Sequence, residues 1–537
     1  MQIGIGVNPA PAAFEPENDI VNTGKMSENV FHLCAYLEEN AARFPQRLAA
    51  SDSYDVSITY AELNRQADRV AGFLAAQGVR PGDRVGLVVP KTTKALTIVF
   101  GIMKARAAYV PIDWTGPVER ARQILTSCEV KVVFVDPRAG DLSGAAPTVV
   151  PLDDSAWDAI LQHEPLDADP AARRSDDLAY ILYTSGSSGI PKGAMLTQRN
   201  AASFVDWCAE LFEASEEDRF GNHAPLHFAI SIVDIFVPLK RGGSVHLVSE
   251  ELGKKPKDLA RFIADHQLTV WYSTPAILGL LAEFGDLNRL DCSRLRLVLF
   301  AGEPFPIKKL RRLMDLWPRP SYYNLWGSTE TNACTYTLIP KPIPEDRAEP
   351  YPIGRAGTHC STMLLNDEGQ PVAPGEEGLL HIAGPVVFQG YWGRAISDSP
   401  NFVERDGIRW HNTGDVVKER AGEGYVYVSR RDRMVKRRAY RIELGEVERC
   451  LYKHPAITEA AVIALPDKES GTRIICYIVA PAEPRPSIVD MKTFCNLHLP
   501  SYMNPDVFVF TEALPRTSSN KVNYQALIRK ASEGATA

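Results

Sequence analysis

Short apolar runs alternate with amphipathic segments through the first 350 residues of the chain. The runs 83–90, 131–136, 178–184 and 295–303 are apolar at most positions, which is typical of parallel strands buried on both faces. Between such runs, apolar residues recur three and four positions apart, as over 63–74, and this spacing predicts amphipathic helices. Strands that alternate with helices indicate an α/β fold with parallel sheets.

The pattern changes after about residue 350, where glycines separate short strand-like runs such as 378–392 and 424–432. This punctuation predicts an antiparallel sheet or a small barrel. The arginine-rich segment 429–443 then marks a boundary, and the residues after it are numerous enough for a small α+β domain. We therefore predict a loose tail over 1–28, a large domain over 29–431 and a small C-terminal domain over 432–537.

Composition and charge narrow the class of protein. The 537 residues are 45% hydrophobic and 23% charged, and they contain no apolar run near the roughly 20 residues that span a bilayer. The formal net charge of −7 argues against nucleic acid as the main partner. Nine cysteines without a CxxC pair indicate reduced thiols, and the N-terminus lacks the basic start of a secretion signal. We expect a soluble, cytoplasmic protein of several domains, without a membrane partner.

A loop rich in glycine and hydroxyl residues follows the apolar run 178–184, in the stretch YTSGSSGIPKG. Glycine lets backbone N–H groups approach an anion, and Ser, Thr and Lys side chains add donors, so this composition favours a phosphate site. The common P-loop requires Gly-Lys-Ser or Gly-Lys-Thr, whereas Lys192 stands between Pro191 and Gly193. A flexible connector is the alternative for such a loop taken alone.

Seven stretches together resemble the adenylate-forming superfamily, which includes acyl-CoA synthetases, luciferases and the adenylation domains of nonribosomal peptide synthetases. In chain order they are SITYAELN, AAYVPID, YTSGSSGIPKG, NLWGSTET, HNTGD, RRDRMVKRRAYRIELGEVE and LPRTSSNKVN. The resemblance covers the chain from about residue 29. It implies a large domain in which two mixed or parallel sheets sandwich helices, a small barrel-like β subdomain and a small mobile C-terminal domain. It also implies that ATP and Mg²⁺ are used to convert a carboxylic acid into an acyl adenylate, which a thiol then attacks.

The resemblance assigns roles to individual residues. The nucleotide phosphates would be bound by Thr184, Ser185, Gly186, Ser187, Ser188, Gly189 and Lys192. Gly302, Glu303 and Trp326 would lie by adenine, Asp415 would accept from the ribose hydroxyls, and Arg430 would add a ribose or phosphate contact. Glu330 would hold Mg²⁺, Thr329 would face the α-phosphate, and Lys521 would stabilise the transition state. Asp432 matches the hinge about which the small domain turns.

The sequence departs from the superfamily pattern where the substrate is selected. Peptide synthetases place an aspartate there for the α-ammonium of the amino acid, but this chain has Ala229. A missing charge-assisted contact costs about 1.5–3 kcal/mol, which disfavours an ordinary α-amino acid. Asp234, five residues further along the predicted helix, is either an anchor for a more distant ammonium or a structural carboxylate. This combination resembles stand-alone enzymes that load β-amino acids for macrolactam polyketides.

The remaining pocket walls implied by the alignment are mainly apolar: Phe220, Phe228, Val233, Ser273, Phe300, Ala301, Leu325 and Ala333. Two smaller departures, Ala439 for Gly and Asn520 in place of the Gly before Lys521, are compatible with activity. The chain ends sixteen residues after Lys521, too soon for a fused carrier domain, so the thiol is expected from a separate acyl carrier protein or from CoA. We predict a β-amino acid adenylating ligase; an aryl-, hydroxy- or fatty-acid CoA ligase is the alternative.

Overall fold

The structure is a computed structural model that describes residues 32–166, 169–184, 191–395, 401–431, 433–437, 440–467, 471–480, 485–516 and 522–534. The predicted N-terminal tail, 1–28, lies outside the described residues. The helices are α1 (Leu33–Arg43), α2 (Tyr60–Ala76), α3 (Thr93–Lys104), α4 (Val118–Ser127), α5 (Asp154–Ile160), α6 (Gln198–Leu211), α7 (Ile230–Arg241), α8 (Pro256–Asp265), α9 (Pro275–Phe284), α10 (Ile307–Leu316), α11 (Leu444–Tyr452), α12 (Ile488–His498) and α13 (Tyr524–Gly534). Among the described residues, no helix is long and apolar enough to cross a membrane.

Two large sheets form the frame of the N-terminal part. The strands of the first are, in chain order, β1 (Leu48–Asp52), β2 (Ser57–Thr59), β9 (Arg219–Asn222), β10 (Ser244–Leu247), β11 (Val270–Ser273), β12 (Leu297–Ala301), β13 (Ser321–Ser328), β14 (Asn332–Leu338) and β15 (Arg355–Ala356). Those of the second are β3 (Arg84–Val88), β4 (Ala108–Pro111), β5 (Val132–Val135), β6 (Thr148–Pro151), β7 (Leu178–Thr184) and β8 (Lys192–Thr197). Both sheets are parallel in the middle, as the doubly apolar runs predict. The first is antiparallel at both edges, and the second at the β7–β8 edge.

The two sheets enclose a common hydrophobic core. This core contains residues of both sheets together with the buried faces of α1, α2, α3, α6 and α7. Helix α3 is buried over most of its circumference because it lies between the sheets, which explains its almost continuous apolar sequence. Helices α8, α9 and α10 cover the outer face of the first sheet, and α4 covers the outer face of the second. Helix α2 contains the predicted helical segment 63–74.

The glycine-punctuated region folds as a five-stranded antiparallel sheet, one of the two arrangements that its pattern predicts. Its strands are β16 (Ser361–Leu365), β17 (Glu377–Ala383), β18 (Phe402–Arg405), β19 (Ile408–Arg420) and β20 (Gly424–Arg430). The long strand β19 pairs with β17, β18 and β20, so it holds this subdomain together. Residues 411–414 of its HNTGD stretch line a small cavity together with Glu330.

The C-terminal part has its own hydrophobic cores. Its strands are β21 (Met434–Arg437), β22 (Tyr440–Glu443), β23 (Glu459–Asp467), β24 (Gly471–Val479) and β25 (Val507–Phe510). Strands β21 and β22 form an antiparallel pair, called here the arginine hairpin, and β23–β25 form a three-stranded sheet packed against α11, α12 and α13. The α/β fold with a large and a small domain is therefore confirmed, while the boundary at residue 432 stays a prediction.

Candidate active site

A cavity of about 130 Å³ lies between the large sheets and the arginine hairpin. The large domain contributes residues from the ends of β7, β12 and β13 and from the start of α7; the hairpin contributes residues of both its strands. The carboxyl ends of parallel strands are where open α/β sheets bind ligands. Its lining includes Thr184, Ala229, Ala301, Gly302, Thr329, Ala333, Arg430, Met434, Lys436, Tyr440 and Arg441.

Two of the predicted phosphate contacts lie on the antiparallel pair β7–β8. Thr184 and Lys192 face each other across this pair, at the two ends of the glycine-rich loop. The Thr184 hydroxyl is buried and makes no hydrogen bond to a described residue. Burial lowers the pKa of Lys192, and its ammonium lies 5.5 Å from the centre of the Tyr391 ring. The predicted phosphate ligands Ser185, Gly186, Ser187, Ser188 and Gly189 lie outside the described residues.

Glu330 is the buried carboxylate of the site, with a side chain 1% exposed. Its Oε1 accepts from the Tyr391 hydroxyl at 2.7 Å and from Arg441 Nη1 at 2.8 Å. Burial alone would raise the pKa of Glu330, but the Arg441 charge and the Tyr391 hydroxyl hold it well below its usual range, so the group is ionised. Oε2 has no partner among the described residues. An ionised carboxylate with an unpaired oxygen fits Mg²⁺, which prefers oxygen ligands.

The predicted ribose contacts lie on the pair β19–β20. Asp415 and Arg430 are register partners, and Arg430 Nη1 donates to Asp415 Oδ1 at 2.7 Å. Both side chains are nearly inaccessible, at 2% for Asp415 and 7% for Arg430. The fixed carboxylate can accept hydrogen bonds on its remaining lone pairs, as the hydroxyls of a ribose would require.

Of the three predicted adenine contacts, only Gly302 lines this cavity. Gly302 lines the cavity, whereas Trp326 is 5% exposed and belongs to the core of the large domain. Glu303 lies against the small domain: a Cβ added to Gly471 would come within 2.7 Å of its Oε2. Gly471 has a φ of +76°, so both its backbone and this contact favour glycine.

The predicted substrate pocket is split between the cavity and the core behind it. Ala229, Phe228, Ala301 and Ala333 line the cavity. Ser273 lines a second, adjoining cavity of about 590 Å³, and Phe228 lines both. Phe220, Val233, Phe300 and Leu325 are at most 1% exposed and lie in hydrophobic cores. Their role as pocket walls stays a prediction.

Asp234 is completely buried on α7, one turn beyond the cavity residue Ile230 on the same helix face. Its Oδ2 accepts from Asn222 Nδ2 at 3.2 Å, and its Oδ1 has no partner among the described residues. Burial raises the pKa of Asp234 well above its ordinary value, against the weaker effects of Asn222 and Lys91. Burial therefore favours the neutral form of this carboxyl group, and a nearby cation would favour the ionised form.

Comparison with known proteins identifies the family of this chain. The model of AMP-binding enzymes matches residues 37–392, and the model of their C-terminal domain matches residues 446–521. The chain belongs to the AMP-binding enzyme family. The predicted resemblance to adenylate-forming enzymes is thus confirmed, and this AMP-binding enzyme is a ligase of the class that uses ATP.

Two relatives are named L-proline–[L-prolyl-carrier protein] ligases. The one from Pseudomonas fluorescens is 37% identical over 497 residues, which cover 91% of this chain and 97% of the relative. The one from Streptomyces coelicolor is 36% identical over 492 residues, which cover 88% and 91%. The crystal structure of IdnL1 matches with a TM-score of 0.77 and 25% identity, covering 90% of this chain and 99% of that protein. The amide bond synthetase McbA from Marinactinospora thermotolerans, 22% identical with a TM-score of 0.81 over 92% of this chain and 99% of that one, shares the fold.

Sequence reasoning missed the way in which the arginine hairpin enters the site of this AMP-binding enzyme. Tyr440 packs edge-on against Phe228, with centroids 4.6 Å apart, and stacks on Tyr502 at 3.8 Å. Lys436 and Arg441 are register partners that both line the cavity. The strand periodicity of the arginine-rich segment is a sequence signal for this arrangement. Alternate residues of a strand lie on the same face, so some charged side chains of the hairpin lie on the cavity side and others on the opposite side.

Two predicted functional residues cannot be placed. The hinge residue Asp432 and the catalytic lysine Lys521 lie outside the described residues. Beside Lys521, Arg516 and Val522 form an isolated β-bridge, and Arg516 forms an ion pair with Glu459 of β23. The roles of Asp432 and Lys521 stay predictions.

Proposed function

We propose that this enzyme activates a β-amino acid with ATP and Mg²⁺, forming an acyl adenylate and pyrophosphate, and then transfers the acyl group to the phosphopantetheine thiol of a carrier protein. The observation that supports the choice of acid is the pair of positions on α7: a methyl group at Ala229 in the cavity wall and an incompletely paired carboxyl group at Asp234 behind it.

The helix geometry explains why this pair favours an amine remote from the carboxylate. Five residues along an α-helix correspond to a rise of about 7.5 Å. An α-ammonium group near Ala229 would meet a methyl group and lose a charge-assisted contact. An ammonium group further from the carboxylate reaches toward Asp234, and its charge stabilises the ionised form of that carboxyl group.

The other groups act on the nucleotide. Mg²⁺, held by Glu330, would neutralise phosphate charge when bound. Thr184, Thr329 and Lys192 contact phosphate oxygens, and the Asp415–Arg430 pair orients the ribose. We assign to Lys521 the stabilisation of charge as the substrate carboxylate attacks the α-phosphate. Each of these residues orients the reactants, so that the carboxylate and the α-phosphate meet in a fixed geometry.

The larger cavity supports transfer to a thiol on a long arm. It is about 590 Å³ in volume, adjoins the smaller cavity at Phe228 and Tyr440, and is lined by both domains. A slender chain that entered here would bring its terminal sulfur to an acyl group held beside Ala229. Two relatives are named as carrier-protein ligases, which supports a carrier protein as the donor of that arm.

An acid without an amine is the second candidate, an aryl, hydroxy or fatty acid transferred to CoA. The observation in its favour is the Asn222–Asp234 hydrogen bond, which gives the carboxyl group a structural partner. A neutral Asp234 with such a partner would be part of the core rather than an anchor. The cavity residues Ala301 and Ala333 are equally suited to a hydrocarbon substrate.

ATP–pyrophosphate exchange decides between the candidates. The panel contains 3-aminobutyrate, β-phenylalanine, L-proline, α-alanine and benzoate, each at matched concentration. The proposal expects the fastest exchange with one of the two β-amino acids. Fast exchange with L-proline or benzoate and none with either β-amino acid would overturn it. Acyl transfer is then measured with a holo carrier protein and with CoA, and faster transfer to CoA would reject the carrier protein.

The variant Asp234→Asn tests the anchor directly. It keeps the shape and the capacity to hydrogen-bond, but it cannot supply a negative charge. We expect exchange with the β-amino acid to fall at least about 100-fold, with benzoate unaffected. Asp218→Asn is the control for loss of a buried carboxylate, because Asp218, directly before β9, is also buried but is paired with Arg296. Equal losses in both variants would identify Asp234 as a structural residue.

A further inference from the structure

An apolar ridge on α9 begins at the larger cavity and continues onto the surface. Ile277 and Leu280 line this cavity, and Leu280 is also 38% exposed. Phe284, one helical turn beyond Leu280 on the same face, is 50% exposed. We call these three residues the α9 ridge. Exposed apolar residues that are grouped in this way mark interaction sites, whereas single ones are common on any surface.

Basic side chains flank the α9 ridge. Helix α9 packs between α8 and α10 on the outer face of the first sheet, and its sequence has one charged residue, Glu283. Cations are frequent just before and at the start of α8 and in α10: Lys254, Lys255, Lys257, Lys308, Lys309, Arg311 and Arg312. Of these, Lys257 is paired with Asp286 at 3.0 Å. In a chain with a formal net charge of −7, these flanks favour an acidic partner.

Two cations of α10 lie directly beside α9. A Cβ added to Gly279 would lie 3.3 Å from Lys309 Cδ, so the Lys309 side chain runs along this helix. Arg312 Nε donates to the carbonyl oxygen of Ala282 at 3.1 Å, which holds its guanidinium group at the next turn. The positive charge therefore borders the apolar residues of the ridge closely.

The cavity at the inner end of the ridge contains buried polar atoms without partners among the described residues. They are Trp114 Nε1, which is a donor, and Glu250 Oε2, which is an acceptor. Buried polar atoms are normally hydrogen-bonded, so this pair fits a polar ligand. An arm that contains amide groups offers a carbonyl to Trp114 and an N–H to Glu250, whereas an alkyl chain offers neither.

We propose that the α9 ridge and its basic flanks are the docking surface of an acidic carrier protein, whose phosphopantetheine arm enters the larger cavity beside Leu280. The ridge forms the apolar centre of the interface and the cations of α8 and α10 form its polar rim, as in other specific interfaces. CoA has the same thiol arm but no protein surface to cover Phe284. The inference rests on the proposed function, which assigns the thiol to a carrier protein.

The docking surface is tested by acyl transfer to two thiols. One is the holo form of an acidic acyl carrier protein that the wild type acylates, and the other is N-acetylcysteamine, which has a thiol and an amide but no protein. Phe284→Ser should lower kcat/KM for the carrier protein at least about tenfold, because it removes an aromatic contact of the interface. Transfer to N-acetylcysteamine and ATP–pyrophosphate exchange should be unchanged. Leu338→Ser is the matched control, since Leu338 on β14 is 53% exposed, and it should change none of the three rates.

Lys309→Glu tests the charge of the flank. At low ionic strength it should lower kcat/KM for the carrier protein about tenfold, and the difference from the wild type should shrink as salt screens the charges. Lys131→Glu makes the same change of charge at an exposed residue directly before β5, and it should leave transfer to the carrier protein unchanged.

Unchanged transfer to the carrier protein in either Phe284→Ser or Lys309→Glu would overturn the inference. Equal losses with the carrier protein and with N-acetylcysteamine would do the same, because the defect would then lie in the cavity or in the chemistry. A dimeric wild type that becomes monomeric in Phe284→Ser, measured by light scattering, would assign the ridge to a second copy of the chain instead. Failure of the proposed function is seen in the wild type alone: no acid supports exchange, or CoA is acylated and no carrier protein is, which also removes the partner of this surface.

Discussion

Arg430 and Asp415 face each other across β20 and β19, and Arg430 Nη1 donates to Asp415 Oδ1 at 2.7 Å. Removing one partner of a buried pair leaves an uncompensated charge. We therefore expect Arg430→Met to lower the free energy of unfolding by about 3 kcal/mol and to weaken ATP binding. Urea denaturation and calorimetric titration measure the two effects.

The double variant Asp415→Asn/Arg430→Met separates charge pairing from packing. If the charge left on Asp415 causes the loss, the double variant should be more stable than Arg430→Met. Its ATP affinity should remain low, because the carboxylate proposed for the ribose is gone. Strictly additive losses of stability would contradict this account.

Substrate choice should change when a carboxylate is placed at the cavity wall. Ala229→Asp supplies the anion that an α-ammonium group requires, so exchange with an α-amino acid should rise about 10- to 100-fold relative to a β-amino acid. Ala229→Asn, of similar size and without charge, is the control and should not produce this shift. The same change of preference in both variants would attribute selection to size instead of charge.

The turn that carries Thr329 and Glu330 depends on a close backbone approach at Gly327. A Cβ on Gly327 would lie 1.7 Å from the carbonyl oxygen of Asn332, which is part of the backbone and cannot rotate away. Gly327→Ala should therefore displace this turn and reduce ATP–pyrophosphate exchange at least about 100-fold. In Gly279→Ala, the nearest atom is the flexible Lys309 side chain at 3.3 Å, and exchange should stay within twofold. Similar activity of the two variants would refute the argument.

His246 should make the large domain sensitive to acid. The ring is fully buried between Ser51 and Ser244, and burial lowers its pKa from 6.5 to about 3. Below pH 6.5, His246 becomes protonated in the unfolded chain but stays neutral in the folded chain. The free energy of unfolding therefore falls as the pH drops toward 3. At pH 5 this loss amounts to about 2 kcal/mol.

The contribution of His246 is measured as a difference in the slope of the free energy of unfolding against pH. His246→Gln cannot titrate, so its free energy of unfolding should fall less steeply than that of the wild type between pH 6.5 and 5. The exposed residue His498 provides the control, and His498→Gln should retain the wild-type slope. A wild-type slope in His246→Gln would assign the acid sensitivity to other groups.

Much of the large domain could be predicted from the sequence because its signals are local. Apolar runs and helical spacing identify the parallel strands and α2. The ordered motifs bring Thr184 and Thr329 to one cavity and Glu330 to a second one, and Arg430, the hydrogen-bond partner of Asp415, lines both. The Arg441–Glu330 contact has no local signal, since it joins residues 111 positions apart. The burial of Phe220 and Leu325 in the core could not be predicted for a related reason. Alignment gives the position of a residue along a strand, but the packing of its neighbours decides whether the side chain reaches a cavity.

Tyr440 has a consequence for how the reaction can be controlled. Its ring forms part of the wall between the two cavities and touches Phe228 on one side and Tyr502 on the other. Withdrawing this one side chain would merge two compartments into one open cleft, exposing an activated acyl group to hydrolysis. Protection of the proposed intermediate from water would thus depend on one aromatic residue of the small domain.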